Sequence, residues 1–119
     1  MRKALTSTLI PALIIATLCL TGCLWPARSN PAPAPVSATQ ESAALKRWPD
    51  ATRSELDQGC ALVTSACNKC HGHPLPADES VEKWPGLAER MAKKAQLDVA
   101  QTRAVIRYLV SAATVEPAR

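Results

Sequence analysis

Apolar positions along this chain fall into four patches of two kinds. The first is a nearly continuous run, Ala4 to Leu20, behind Arg2 and Lys3. The other three recur at three- and four-residue steps, the spacing of one helix face. Leu56, Gly59, Cys60, Val63 and Cys67 make one stripe, entered through Thr52-Arg53-Ser54-Glu55, which has the spacing of a capping box. Trp84, Leu87, Ala88, Met91 and Ala95 make the next, with Pro85 placed as the first residue of a helix running to about Ala95. Val99, Thr102, Ile106, Leu109, Val110 and Ala113 make the last, with Tyr108 at its edge and a helix start at Asp98 to Gln101. The intervening loop, "GHPLPADESVEK", is rich in turn formers and shows no two-residue alternation. The pattern predicts an all-α fold of three or four short helices and no strand.

The first run is read differently. A charged start, a short apolar stretch and small residues form the pattern of a secretory signal. A spanning helix is the alternative, but the run is at the lower limit of length and is interrupted by Pro11 and by Thr and Ser residues. Leu20-Thr21-Gly22-Cys23 decides between them, because it resembles the lipobox of bacterial lipoproteins. That resemblance implies cleavage after residue 22 and acylation of Cys23, palmitate included. Several buried acyl chains hold a membrane firmly, at about 0.8 kcal/mol per methylene. Leu24 brings no acidic retention signal, which leans towards the outer membrane. Residues 26–40, "PARSNPAPAPVSATQ", carry four of the ten prolines and no periodicity. Alternating Pro-Ala favours extended polyproline II and reads as a semi-rigid tether. The organisation expected is a signal peptide over 1–22, an acylated Cys23 with its tether over 23–40, a folded domain over 41–114 and a short tail over 115–119.

Length and composition then limit what that domain can be. About 70 residues remain for folding, in a chain with three Trp, one Tyr and no Phe. A core so thin needs a staple, a metal or a cofactor to complete it. Removing Arg2 and Lys3 with the leader lowers the formal charge of +4 to +2. No basic run interleaved with aromatics is present, so no nucleic-acid partner is expected.

Candidate chemistry concentrates in "ACNKCHGH", residues 66–73. Cys67 and Cys70, three apart at a helix end, point to one side and can each form a thioether with a haem vinyl group. His71 then follows at once to put an imidazole beneath the iron. With Cys and His each at about 2% of residues, chance yields this pattern in roughly one chain in a thousand of this length. A thioredoxin-like pair would need a βαβ frame that the chain lacks. A zinc site would need further ligands, and only His71, His73 and the distant Cys60 offer themselves. A disulfide between Cys67 and Cys70 would close almost no loop. The expected cofactor is one covalent haem c, attached after export.

At these residues the chain resembles the small class I monohaem cytochromes c, over about Asp50 to Ala113. "QGCALVTSACNKCHG" looks like that family's first helix and haem motif, with Gly59 where two helices cross. "VIRYLVSA" is similar to its last helix, in which Tyr108 would pack across the glycine. The resemblance implies that Cys67 and Cys70 carry the thioethers, that His71 is the proximal ligand, and that the helices wrap one haem. Val63 departs from the family, where an aromatic is common at the crossing.

The opposite face of the iron decides the function. Met91 is the only methionine besides Met1, and the twelve residues Gly72 to Lys83 extend roughly 40 Å, enough to round a haem edge. "WPGLAERMAKK" also resembles a distal pattern of some family members, a tryptophan preceding a methionine on a helix. The rival reading of Met91 is simple core filling. His–Met ligation raises the reduction potential and leaves no position for a substrate. The expectation is therefore a non-enzymatic electron carrier, facing the periplasm on its lipid anchor and exchanging electrons with respiratory or other periplasmic redox proteins. An open distal site, in a gas sensor or a small catalytic haem protein, is the alternative. A haem-free thiol protein is a remote third. Trp84 is expected on or beside the porphyrin and Trp48 at the seal of the fold's start. Cys60 is expected to be a small buried hydrophobe. Lys69, Lys83, Lys93 and Lys94 are candidates for steering acidic partners, with a solvated surface role as the rival.

Overall fold

A computed structural model describes residues 30–116. The predicted signal peptide, the lipidation candidate Cys23 and the last three residues lie outside them. Four helices follow in order: α1 (Ala38–Arg47), α2 (Arg53–Ser65), α3 (Trp84–Lys94) and α4 (Val99–Val115). Two single 3₁₀ turns, Cys67–Lys69 and Pro76–Asp78, punctuate the connection from α2 to α3. The described residues contain no strand, as the periodicity predicts. None of their helices is long and apolar enough to cross a membrane.

The caps explain where the helices begin. Thr52 Oγ1 accepts from the Glu55 amide at 3.1 Å, satisfying one orphan donor of α2. The reciprocal half of the expected box is absent, because the Glu55 carboxylate binds Arg103 and Arg107 of α4 instead. At α4 the box is complete: Asp98 Oδ1 accepts from the Gln101 amide, and Gln101 Oε1 from the Asp98 amide. α3 starts at Trp84, so Pro85 sits inside its first turn, where no amide donor is needed.

α4 is the axis of the molecule, packed against α2, α1 and α3. The expected stripe is too narrow for such a helix. From Ala104 to Ala113 nearly every residue is buried, Arg107 and Ser111 included. Val99, assigned to the inner face by its spacing, is 86% exposed in the first turn, ahead of the point where the neighbours close over the helix. The α2–α4 crossing centres on Gly59. A Cβ there would overlap the Ala104 carbonyl oxygen and lie 2.7 Å from Tyr108 Cβ, so the backbones touch and Tyr108 packs across the glycine as expected. Val63, the position without the aromatic, is fully buried all the same.

Sequence periodicity missed α1. Its only buried residues are Gln40 and Ala44, so it has almost no apolar stripe to detect. It is held by its N-cap, Ser37 Oγ accepting from the Gln40 amide, and by the buried Gln40 Nε2, which donates to Tyr108 O and Ser111 Oγ. The Ser37-x-x-Gln40 spacing was the available signal.

The expected domain start at residue 41 is also corrected. Residues 30–37, assigned to a free tether, lie against the helices, with Pro33 and Val36 buried. Tyr108 Oη donates to Ala34 O at 2.8 Å and Arg53 Nη2 to Val36 O at 2.8 Å. Pro-Ala sequence cannot pair its backbone internally, so its carbonyls are free acceptors for side chains of a neighbouring surface. The fold begins by residue 30.

Candidate functional site

The site forms where α2 runs out. Thr64 and Ser65 turn their hydroxyls back onto the Cys60 and Ala61 carbonyls at 2.8 Å, competing with continuation of the ladder. The chain then tightens into the 3₁₀ turn Cys67–Lys69. Three residues per turn bring positions i and i+3 onto one side, which aligns Cys67 with Cys70. Cys67 is buried, Cys70 exposed, and both are free thiols. Burial pushes the Cys67 thiol up from its ordinary value, so it is held neutral. His71 is exposed, and its Nδ1 donates to the Gly72 carbonyl at 2.7 Å. A carbonyl only accepts, so that contact puts the proton on Nδ1 and leaves the Nε2 lone pair free.

α3 supplies the other wall. Met91 is half-buried at the edge of the core, and it lines the same cavity of about 340 Å³ as Cys67, Cys70 and His71. Two thiols, an imidazole and a thioether, drawn from positions twenty-four residues apart at most, thus face one space within the size range of small-ligand sites, about 300–1,000 Å³. No family model matches this chain, and neither a curated protein nor a solved structure matches it.

Lys69 and Lys94 stand at the same cavity. Lys93 and Lys94 also occupy the last turn of α3, where a cation complements the helix dipole whatever else it does. α3 closes at the cavity with a full Schellman pattern: Gln96 N–H to Lys93 O at 3.3 Å and Leu97 N–H to Ala92 O at 3.0 Å. The closing residue, Gln96, has φ of 57°, unusual for a residue with a side chain.

The remaining candidates are elsewhere. His73 does not line the cavity: its two ring nitrogens each lie 3.2 Å from a carbonyl, of Asn30 and of Thr64. Trp84, expected against a porphyrin, is instead buried in the core with its indole N–H donating to Pro76 O at 2.9 Å. Cys60 is half-buried, not enclosed, and its thiol points at Ala34 O, 3.6 Å away. Trp48, expected at the seal of the fold's start, sits partly buried at the end of α1, with the Arg47 and Arg107 guanidinium groups 5.3 and 5.5 Å from its ring. Sequence reasoning missed Arg107 altogether. It is buried on α4 and bridges Glu55 and Asp50, with closest contacts of 2.7 and 2.8 Å. The signal was present only as an arginine inside an apolar run.

Proposed function

We propose that the protein is an exported, lipid-anchored c-type cytochrome that transfers single electrons between redox proteins at a bacterial membrane, facing the periplasm. The observation that carries this reading is the convergence of Cys67, Cys70, His71 and Met91 on one cavity. This donor set fits a haem. Cys67 and Cys70 would hold it by thioethers, His71 would ligate the iron through the free Nε2, and Met91 would supply a thioether sulfur as the other ligand. When bound, the group supplies a one-electron couple whose potential an axial methionine raises. The chain's own contributions are orientation and shielding. Gly72 fixes the imidazole tautomer, Cys67 is anchored in the core, and α3 carries Met91 to the same cavity, where its sulfur would be available to the group. Among the described residues no three His, Cys, Asp or Glu side chains lie close enough together to hold a bare metal ion. The outer membrane remains the favoured anchor surface on the strength of Leu24 after Cys23.

The test is to produce the full chain in a host that matures c-type haem and to record absorption spectra of both oxidation states. A covalently retained, low-spin chromophore is expected, with a weak far-red ferric band that disappears in Met91→Ala. Absence of covalent haem would overturn the reading. A high-spin spectrum that shifts on adding carbon monoxide would turn Met91 into packing and favour the ligand sensor.

A further inference from the structure

Residues 30–36 meet α2, directly or through His73, in a definite order. Asn30 meets His73 twice, its Nδ2 donating to His73 O at 2.9 Å and its own carbonyl lying 3.2 Å from His73 Nδ1. The other nitrogen of that ring faces Thr64 O, in the last turn of α2. Ala34 O receives Tyr108 Oη and faces the Cys60 thiol, one helical turn earlier. Val36 O receives Arg53, at the first residue of α2. The segment therefore runs antiparallel to α2 along its whole length. The dimensions agree: six steps at polyproline rise cover about 19 Å, and the eleven steps from Arg53 to Thr64 cover about 17 Å of helix.

This places the exit of the N-terminal chain at the motif end of the domain. Asn30 is held by His73, two residues beyond His71. Seven residue steps separate it from Cys23, and they can reach at most about 25 Å. Had residues 30–37 been free, the leash would have been roughly twice as long and would have left from the start of α1.

We propose that residues 30–37 are a docking strap that presents the Cys67–His73 end of the domain to the membrane, so that the partner it fits is a redox protein embedded in that membrane. The nature of the partner rests on the electron-transfer reading; the orientation rests on acylated Cys23 and the strap alone. The strap also backs the site, since Asn30 Nδ2 holds the carbonyl of His73, whose ring lies between the Asn30 and Thr64 carbonyls.

The test uses the full acylated chain, reduced, in nanodiscs of phosphatidylethanolamine and phosphatidylglycerol. Amide signal intensities are compared between a gadolinium-chelating lipid and its lutetium counterpart. Broadening should be several-fold stronger for residues 64–73 than for residues 52–56. A ten-residue Gly-Ser insertion between Ser29 and Asn30 should abolish that gradient, and so should Asn30→Ala combined with Tyr108→Phe. Equal broadening at both ends, none at either, or a gradient that survives the insertion would overturn the proposal. The gradient does not depend on haem, so a chain with no chromophore can still show it, and a chain with a normal cytochrome spectrum can still fail to.

Discussion

The α2–α4 crossing and the cavity beyond it share the chain of α2 and its continuation, yet they use their side chains in opposite ways. At the crossing, Leu56, Val63, Ala104, Tyr108 and Leu109 are enclosed, and Gly59 lets the two backbones meet. One turn later Cys70 and His71 are exposed and Met91 is half-covered. The first region commits its side chains to contact area; the second keeps reactive groups within reach at the expense of contact. Stability is therefore concentrated at the crossing and the candidate chemistry at its end, and the two can be perturbed separately.

The largest effect is expected from Gly59→Ala. The added methyl meets the Ala104 carbonyl and the Tyr108 Cβ, neither of which can rotate away. Overpacking against backbone costs about 3 kcal/mol, which in a domain of this size lowers Tm by about 12 °C or more. Thermal melts followed by circular dichroism measure it. An unchanged Tm would mean that the helices separate freely, and the contrast between the two regions would collapse.

The same contrast separates what was legible in the sequence from what was not. Features fixed by local rules could be read directly: the caps at Thr52 and Asp98 and the stripes of α2 and α3. The close approach at Gly59 was an implication of the family resemblance, since it depends on a helix far along the chain. The motif residues were equally plain, because their spacing carries the chemistry. Features decided by the rest of the fold could not be read. Val99 fits its stripe but lies beyond the neighbouring helices, and Arg107 breaks an apolar run yet is buried because Glu55 and Asp50 come to it. Trp84 sits on the expected face but is claimed by the Pro76 carbonyl. The Pro-Ala segment has the composition of a linker, and only the side chains of Tyr108 and Arg53, distant in sequence, turn it into part of the fold.

Arg107→Ala sharpens the comparison on the crossing's side. The Glu55 side chain is only 12% exposed and would lose its nearest guanidinium. Leaving such a carboxylate with Arg103 alone costs about 2 kcal/mol near neutral pH. The pH dependence follows from the direction of its shift. Burial acts to raise the Glu55 carboxyl, but the Arg107 and Arg103 guanidiniums outweigh it and hold the group below its ordinary value of 4.5. The unfolded chain therefore takes up the proton first. The stabilisation is complete above that value and is lost as pH falls through the lower folded one. Urea unfolding at pH 7 and at about pH 3.5 should show the variant's deficit shrinking in acid. A deficit that stays constant would assign Arg107's role to its packing on Trp48.

The smallest effect belongs to the cavity's rim. Gln96 ends α3 in the left-handed region, where a side chain costs on the order of 1 kcal/mol that glycine avoids. Glycine returns part of that gain through the greater freedom of the unfolded chain. Gln96→Gly should therefore stabilise the fold by about 0.5 kcal/mol, a rise of a few degrees in Tm. The α3 terminus is held by backbone contacts that glycine keeps, from Gln96 to Lys93 and from Leu97 to Ala92, so Met91 should stay where it is. A stabilised variant with an unchanged spectrum would show that strain at the rim is separable from the site. A stabilised variant with an altered spectrum would instead give the Gln96 side chain, which lines the cavity beside Met91, a part in the site itself.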